Sequence, residues 1–236
     1  MQNGVIYIAF GKRYVDEAVY SAESLKQHNN LPVTLFTDVD VSSPYIDNLV
    51  KITPQHKRAK VDFISDSPYE RTLYLDSDTK VVRDLSELFE ILDRFDVAGT
   101  HDHSRKTHRW ASKVPAYAQI PYPFPEYNGG VLLFRQNEAV KGFLSEWQKL
   151  FHENKHLTNG QDQATLRISL WRSNVMLHTL PPEFNVRNEW VRQKIIKRAR
   201  QPEEQAVLAP RIYHWHGLNK PSFFRRFRDK YKAMIY

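Results

Sequence analysis

A short apolar strand that ends in two aspartates constrains this sequence more than any other feature. Leu73–Leu75 is a run of strand-favouring and apolar residues, typical of a strand buried on both faces of a parallel sheet. Asp76 and Asp78 come directly after it, and two carboxylates at the end of a buried strand are costly to leave unpaired. Two interpretations are open: a site for Mg²⁺ or Mn²⁺, or a polar turn in which the aspartates cap the next element of the chain.

The first part of the chain predicts a parallel sheet. Gly4–Phe10 and Val33–Thr37 read as strands, and Val15–His28 between them has its apolar residues at helical spacing. A strand, a helix and a second strand in this order form a βαβ unit. We therefore predict an α/β fold with a mostly parallel central sheet flanked by helices. Ligands bind beyond the carboxyl ends of the strands in such sheets, which is where the two aspartates lie.

The later elements are less regular. His101–Pro125 is predicted to be an irregular loop or a broken helix, and Tyr127–Gly130 a turn or a close backbone approach to a ligand. Further helices are predicted up to Ile64, over Asp84–Phe95, over Glu138–Glu153, after Gln163 and over the basic segment Asn188–Arg200. Further strands are predicted over Asp96–Thr100, over Val131–Phe134, within Trp171–Leu180 and over Val207–Tyr213.

Composition narrows the classes of protein that the chain can represent. It has no cysteine, which excludes disulfides, thiolate metal sites and a cysteine nucleophile. Its first residues read as a strand rather than a signal peptide, and no apolar run reaches the ~18 residues of a membrane span, so we expect a cytoplasmic protein. The net charge of +7 and the 13% aromatic content favour anionic partners, namely nucleotide phosphates, an anionic membrane surface or nucleic acid.

The two common phosphate-binding loops are missing from the sequence. No G-x-G-x-x-G follows the first strand, and no G-x-x-x-x-G-K-[ST] occurs anywhere, which disfavours a dinucleotide enzyme and a P-loop hydrolase. Polar residues instead follow predicted strands at Gly11–Tyr14, Asp38, Asp76–Asp78 and His214–Lys220. Their convergence would suit a diphosphate held by a divalent metal, and this points to an enzyme that uses a nucleotide-sugar.

Four sequence blocks, taken in order, carry a family resemblance. They are IAFGKRYVDEAVYSAESLKQH, KVDFISDSPYERTLYLDSDTKV with its D-x-D triplet, YNGGVLLF with GQDQATL downstream, and HWHGLNKP. In these blocks the chain resembles the GT-A glycosyltransferases of family eight, which include glycogenin and bacterial lipooligosaccharide galactosyltransferases and carry an H-x-x-G-x-x-K-P motif. The resemblance spans about Ile6 to Pro221. Residues 1–221 are therefore interpreted as one catalytic domain, and residues 222–236 as a basic aromatic tail.

The resemblance implies a role for each matching residue. Asp76 and Asp78 match two metal ligands of the family and His214 matches the third, with Mn²⁺ or Mg²⁺ as the ion. Asp162 and Gln163 match an acidic and amide pair near the donor sugar, to which catalysis is assigned. The residues assigned to the donor are Ala9, Phe10 and Tyr14 at the nucleoside, with Tyr14 stacked on uracil, Asp38 at the base or ribose, Lys60 and Ser77 around the D-x-D strand, Asn128 and Gly129 at the sugar, and Gly217 and Lys220 at the diphosphate.

The implied activity is metal-dependent transfer of a hexose from a UDP-sugar, UDP-glucose or UDP-galactose, to a hydroxyl of a glycan or glycolipid, with retention of anomeric configuration. The route to retention stays open. Either Asp162 or Gln163 stabilises the cationic sugar or acts as nucleophile, or the leaving phosphate accepts the acceptor's proton on the same face.

Two other classes compete with this interpretation. One is a nucleotidyltransferase of a related α/β fold, which should show a glycine-rich, basic amino-terminal signature that is missing here. The other is a non-catalytic nucleic-acid-binding protein, which the charge and aromatic content permit. That class leaves Asp76 and Asp78 unexplained, so no nucleic-acid partner is expected.

The tail, residues 222–236, alternates aromatic and basic side chains. Two interpretations are open. In the first, the tail is a helix that lies on an anionic membrane surface, which would place the protein peripherally on the inner membrane face. In the second, it is a terminal helix that packs its aromatic residues on the domain. The residues concerned are Phe223, Phe224, Phe227 and Tyr231 with Arg225, Arg226, Arg228, Lys230 and Lys232.

Overall fold

The strands form one large sheet and one small sheet. The computed structural model describes residues 2–187 and 209–219, together with Gln193 and Lys197. The strands are β1 (Asn3–Ile8), β2 (Val33–Thr37), β3 (Asn48–Lys51), β4 (Arg71–Leu75), β5 (Thr79–Val81), β6 (Val97–His101), β7 (Tyr127–Arg135), β8 (Leu177–Thr179) and β9 (Ile212–His214). The α-helices are α1 (Lys12–Lys26), α2 (Lys60–Phe63), α3 (His108–Ala111), α4 (Pro115–Gln119), α5 (Glu138–Asn154) and α6 (Gln163–Arg172), and short 3-10 helices cover Ile64–Asp66, Ser86–Asp93 and Pro182–Phe184.

The large sheet has seven strands in the order β3-β2-β1-β4-β7-β6-β8. β3, β2, β1 and β4 pair in parallel, and so do β6 and β8. β7 runs antiparallel between β4 and β6. The predicted α/β fold with a mostly parallel sheet is confirmed. The carboxyl ends of β1, β2 and β4 consequently meet at one edge, and Asp76 follows β4 at that edge.

Alternation along the strands places one hydrophobic core on each face of the large sheet. Val5 and Tyr7 of β1 pack with α1 and the 3-10 helix Ser86–Asp93. Ile6 points to the opposite face, where α5 and α6 contribute Trp147 and Leu166 among others. Because both faces are covered, β2 and β4 are buried almost throughout and read as continuous apolar runs in the sequence.

The small sheet brings the carboxyl-terminal block to the aspartates. β5, directly after Asp78, pairs antiparallel with β9, so that Thr79 faces His214 and Val81 faces Ile212. A strand was predicted over Val207–Tyr213 without a partner. The described part of that strand belongs to this second sheet rather than to the central one.

The segment His101–Pro125 combines the two predicted alternatives, because irregular chain surrounds two short helices. Its short helices α3 and α4 bury Trp110 and Tyr117 in a third apolar cluster, against Leu150 of α5 and Ile168 of α6. The fully buried guanidinium of Arg167 donates to the carbonyl oxygens of Pro121 and Phe124 and lies 4.6 Å from the Tyr117 ring centroid. The segment is therefore packed on the domain.

Two local predictions differ from the structure. Tyr127–Gly130 is the first part of β7 and not a turn, because Tyr127 pairs with His101 of β6 and Gly130 O accepts from the backbone N–H of Asp76. The helix predicted over Asp84–Phe95 is present as a shorter 3-10 helix over Ser86–Asp93, and Asp84, just before its start, accepts from the backbone N–H of Ser86 at 2.8 Å.

Some predictions fall on parts of the chain that the structure leaves undescribed. The helix predicted over Asn188–Arg200 and the tail 222–236 lie outside the described residues, apart from Gln193 and Lys197. Within residues 2–187 and 209–219, no helix combines the length and apolar character that a membrane crossing needs.

Candidate active site

A cavity of about 850 Å³ opens at the carboxyl edge of the large sheet. One side is lined by Ala9, Phe10 and Tyr14, which follow β1, and its floor by Asp76–Asp78. The other side is formed by residues 56–60 and 155–161, from the segment that enters α2 and the connection between α5 and α6. Ala9, Phe10 and Tyr14 of the predicted nucleoside site and the two aspartates of the predicted metal site are thus brought to one cavity, whereas Asp38 and His214 are not part of its lining.

Three candidate metal ligands meet at the floor of this cavity. Nε2 of His214 lies 3.2 Å from Oδ1 of Asp78 and 3.7 Å from Oδ2 of Asp76. One ligand atom from each of the three residues lies within 4.8 Å of the others. β4 supplies the aspartates and β9 the histidine, and the pairing of β5 with β9 fixes their separation.

A chain of hydrogen bonds fixes the tautomer of His214. Asn128 Oδ1 accepts from Gly130 N at 3.1 Å and from Asn185 Nδ2 at 2.9 Å, which sets the orientation of both amides. Asn185 therefore turns its oxygen to His214 Nδ1, 2.9 Å away. An amide oxygen can only accept, so Nδ1 carries the hydrogen and Nε2 offers its lone pair to the two carboxylates.

This arrangement fits a divalent cation. An imidazole lone pair and two carboxylates that face one another repel unless a proton or a cation lies between them. Burial raises the pKa of the Asp76 and Asp78 carboxyls, but Lys60 and the protonated form of His214 outweigh burial at Asp76, and protonated His214 does so at Asp78, so that both pKa values lie below the usual range. The aspartates are consequently anionic, and carboxylate oxygens suit Mg²⁺ and Mn²⁺.

Gly130 is required because the backbone of β7 passes directly against these ligands. A Cβ atom at this position would lie 2.3 Å from Cε1 of His214 and 2.5 Å from Oδ2 of Asp76. The backbone N–H of Asp76 also donates to Gly130 O at 2.8 Å. The backbone at Gly130 thus approaches the side chains of His214 and Asp76, while the predicted close approach of this glycine pair to a ligand stays a prediction.

Lys60 joins the metal cluster to the predicted catalytic pair. Its Nζ lies 3.3 Å from Oδ1 of Asp76 and 3.3 Å from Oδ2 of Asp162, and it donates to Gly129 O at 3.0 Å. Burial lowers the pKa of this ammonium, but Asp162 and Asp76 outweigh burial and the pKa of Lys60 is raised. The side chain is therefore a fixed positive charge between the two acidic groups.

Asp162 does not act as a helix cap, although it stands directly before α6. Its side chain makes no capping hydrogen bond. One oxygen instead faces Lys60, and the other lies 3.4 Å from Nε of Arg58. Gln163 donates from Nε2 to Tyr127 O at 2.6 Å, so the start of α6 is tied to the start of β7.

The residues predicted at the nucleoside are only partly engaged. Tyr14 is 45% exposed, which leaves its ring accessible from the cavity. Asp38 accepts from the backbone N–H of Gly11 at 2.8 Å and so holds the loop that follows β1. Its contact with a base or ribose stays a prediction.

The carboxyl-terminal motif is described up to Asn219. Gly217 has φ +84°, a conformation that favours glycine, and His216, to which the motif gives no ligand role, lines the cavity. Lys220 lies outside the described residues, so its predicted diphosphate contact stays a prediction.

Four residues of the site carry no local sequence signal that assigns their role. Asn185 orients His214, and Tyr74 donates from its hydroxyl to Asp76 Oδ1 at 2.5 Å. Arg58 contacts Asp162, and Asn219 binds the backbone after the D-x-D triplet. Apart from Tyr74, they act across long sequence separations, which only the three-dimensional structure reveals.

A second group with metal-type side chains lies at the far wall of the cavity. Asp62 places one oxygen 2.7 Å from His56 Nε2 and the other 2.7 Å from His152 Nε2. Nδ1 of His56 accepts from the backbone N–H of Arg58 at 3.1 Å, so the hydrogen of the neutral ring sits on Nε2, where a metal would bind. We interpret this group as an ionic link between α2 and α5.

The fold and site define an α/β protein with a carboxylate-histidine metal-type cluster at the carboxyl edge of its sheet. A family model described as glycosyl transferase family 8 matches residues 59–221, more than half of the chain. The chain belongs to glycosyl transferase family 8 and is a glycosyltransferase. A search of curated proteins gave no match.

Solved structures support the GT-A fold. The chain is similar to the glycosyltransferase GlyE of Streptococcus pneumoniae TIGR4, with 19% identity and a TM-score of 0.63, over 99% of this chain and 61% of GlyE. It is similar to the galactosyltransferase LgtC, solved with donor and acceptor sugar analogues, with 15% identity and a TM-score of 0.61, over 98% of this chain and 95% of LgtC. Mouse xyloside xylosyltransferase 1 gives 13% identity and a TM-score of 0.57, over 92% of this chain and 98% of that one.

Proposed function

We propose that the protein transfers a hexose from UDP-glucose or UDP-galactose to a hydroxyl of a glycan or glycolipid, with a divalent metal and with retention of anomeric configuration. The observation that carries the proposal is the cluster of Asp76, Asp78 and His214, with the lone pair of Nε2 turned inward, at the floor of a cavity large enough for a nucleotide-sugar. Family membership supports a nucleotide-sugar donor and a glycan acceptor.

The proposed metal ligands are Asp76, Asp78 and His214. Mn²⁺ or Mg²⁺ bound there would act as a Lewis acid on the diphosphate leaving group. Asn185 keeps Nε2 of His214 available, and Tyr74 orients Asp76 by its hydrogen bond. The chain thus supplies a preorganised anionic site that needs no rearrangement when the donor arrives.

The transfer breaks the bond between the anomeric carbon and the β-phosphate oxygen, and the electron pair leaves with the phosphate. A bond forms between the acceptor oxygen and the anomeric carbon, so the products are UDP, the glycoside and one proton. Lys60, Asp162 and Gln163 would face the sugar, and Lys60 would stabilise the charge that develops on the phosphate. Retention through a carboxylate or amide nucleophile and retention through the leaving phosphate both fit this geometry.

The remaining parts of the proposal concern the surroundings of the site. Tyr14 would stack on uracil, and Gly217 with Lys220 would contact the diphosphate. The basic aromatic tail, residues 222–236, would bring the enzyme to an anionic membrane surface on its cytoplasmic side. Sedimentation with anionic vesicles tests this, because a chain that ends at Pro221 should stay in the supernatant while the full chain sediments.

The test of the central proposal is ligand-dependent stability followed by a donor screen. UDP should raise the unfolding temperature only in the presence of Mn²⁺, and UDP-glucose or UDP-galactose should be hydrolysed slowly without acceptor. Stabilisation by an oligonucleotide with no response to UDP and Mn²⁺ would support a nucleic-acid-binding protein instead. Release of pyrophosphate from a nucleoside triphosphate would support a nucleotidyltransferase.

A further inference from the structure

The cavity has a basic wall of which the proposed donor site uses Lys60 alone. This basic wall consists of residues 56–60 and 155–161, and its charged side chains include Lys57, Arg58 and Lys155. Among the described residues of the basic wall, none of those that line the cavity is acidic. The acidic residues that line the cavity lie on the opposite side and floor: Glu17, Asp76 and Asp78.

Much of the positive charge on the basic wall is uncompensated. Lys60 and Arg58 are paired with Asp162. Lys57 and Lys155 are exposed, and neither pairs with a carboxylate within the part of the chain that the structure describes. The polar neighbour of Lys155 is His152, whose Nδ1 lies 3.4 Å from the lysine Nζ.

The turn at the end of the basic wall is held in a fixed shape. Asn159 and Gly160 both have positive φ, +51° and +67°. Among the described residues, Asn159 is the one non-glycine residue with a positive φ. Gly160 N donates to Lys155 O at 2.7 Å, and Thr158 Oγ1 donates to Gln161 O at 2.7 Å. This turn has a fixed shape, and Asn159 lines the cavity.

The order of contacts places the basic wall beyond the donor. Lys60 bridges Asp76 and Asp162, and Arg58 reaches the far oxygen of Asp162 and donates to Gln161 Oε1 at 2.6 Å. The metal cluster, the proposed sugar position and the basic wall thus follow one another. A substrate that enters after the donor would meet the wall.

We infer that the acceptor is anionic, carrying a carboxylate or phosphate group that the basic wall binds through Lys57 and Lys155. The inference rests on the proposed function, since it takes the donor to occupy the metal end of the cavity. Charge complementarity of this kind selects the acceptor and orients its hydroxyl.

The first test measures the binding of sugars to the full chain saturated with UDP and Mn²⁺, which occupy the donor end of the cavity. Glucose 6-phosphate and glucuronate should bind at least about tenfold more tightly than glucose, and the difference should shrink as salt is raised. Equal affinity for charged and neutral sugars, or no binding of any of them, overturns the inference.

The second test uses variants on the basic wall. Lys57→Ala combined with Lys155→Ala should remove the preference for the charged sugars, whereas Lys149→Ala, a lysine of α5 outside the cavity, should keep it. Loss of the preference in Lys149→Ala as well would show general attraction by the net charge and contradict the assignment. Failure of UDP to bind with Mn²⁺ would refute the proposed function itself, which separates the two failures.

The third test separates acceptor from donor as the source of the anion. UDP-glucuronate and UDP-glucose are compared for hydrolysis without acceptor. The inference expects no advantage for UDP-glucuronate. A preference for it that disappears in the double lysine variant would assign the basic wall to the donor and overturn the inference.

Discussion

At the scale of single residues, the site depends on the orientation of two amide side chains. Asp102 accepts from Asn128 Nδ2 at 3.1 Å, Asn128 accepts from Asn185, and Asn185 accepts from His214. Each bond leaves the next amide one usable orientation, so a buried carboxylate ultimately determines which imidazole nitrogen faces Asp76 and Asp78. Such outer partners hold metal-binding histidines in many proteins.

We predict that Asn185→Ala weakens the metal site without removing it. His214 loses the acceptor for its Nδ1 hydrogen, and loss of such a partner typically costs about 10- to 100-fold in metal affinity. The Mn²⁺ concentration for half-maximal donor hydrolysis should rise accordingly, while the rate at saturating Mn²⁺ changes less. Asn174→Ala, at an exposed position, is the control. An unchanged Mn²⁺ requirement would show that His214 orients itself without Asn185.

Removal of a metal-type carboxylate should have a larger effect. We predict that Asp76→Asn and Asp78→Asn each lower metal-dependent turnover by on the order of a hundredfold or more, because a Lewis acid supplies several kcal/mol to the transition state. Circular dichroism should show a folded protein in both cases. Full activity of either variant after EDTA treatment, with no metal added, would contradict the metal assignment.

At the scale of elements, an ionic link joins α2 to α5 behind the cavity. His56 and His152 both contact Asp62, and Gln148 Nε2 donates to the same carboxylate at 3.2 Å. Burial lowers the pKa of His56 despite Asp62, with help from His152 and Lys155. Burial raises the pKa of Asp62, but its bonds to His152 and Gln148 outweigh burial and the pKa is lowered.

These two shifts predict acid sensitivity in two stages. Below pH 6.5 the unfolded chain binds a proton at His56, whereas His56 of the folded chain is still neutral because its pKa is lower. The free energy of unfolding therefore falls as the pH drops below 6.5. The lowered pKa of Asp62 contributes stability that is present above pH 3.8 and lost as the pH falls through its folded value.

Asp62→Asn should cost about 1 kcal/mol of unfolding free energy near neutral pH, because the contacts of the carboxylate with His56, His152 and Gln148 are weakened or lost. It should also steepen the fall of stability below pH 6.5, since burial then acts on His56 unopposed. Urea unfolding at about pH 7.5, 6.5 and 5.5 measures both effects. Asp66→Asn removes the same charge at an exposed position and serves as the control. Parallel pH profiles for the two variants would contradict the role of the link.

How far the sequence predicts these elements depends on how local their signals are. β1, β2 and β4 follow from runs of apolar residues, and Asp76 and Asp78 lie at the end of β4 as predicted. β7 could not be predicted over its full length, because Tyr127–Gly130 is held by distant residues and not by local propensity: Tyr127 pairs with His101 of β6, and Gly130 O accepts from the backbone N–H of Asp76. The partner of β9 was likewise inaccessible, since the sequence separates it widely from β5.

The residues of the candidate site also fall into those with a local sequence signal and those without one. Residue types at strand ends, together with a family resemblance, indicated the cluster of Asp76, Asp78 and His214 and assigned Lys60 to the donor; its place beside the cluster came from the structure. The uses of Asn185, Gly130 and Arg58 could not be predicted, because each depends on an atom brought close by the fold. For Gly130 the sequence left a choice between a turn and a close approach, and the distance to His214 decided it.

At the scale of the whole molecule, the site lies at a joint between two sheets. The large sheet supplies Asp76 and Asp78, and the carboxyl-terminal block supplies His214 through the small sheet. Asn219, almost fully buried, closes this joint because its Nδ2 donates to Ser77 O at 2.8 Å and Thr79 O at 2.7 Å. A fold of the large sheet alone would therefore leave half a site.

We predict that Asn219→Ala opens this joint while the large sheet stays intact. The carbonyl oxygens of Glu17, Ser77 and Thr79 lose their donor, at about 1–3 kcal/mol. Hydrogen exchange should accelerate at Ile212–His214, amides of β1 and β4 should keep their protection, and donor hydrolysis should fall by on the order of tenfold as His214 loses its position. Asn174→Ala should change none of the three measurements. Equal loss of protection in β1 and β4 would instead make Asn219 a support of the whole fold, because the two sheets would then open as one cooperative unit.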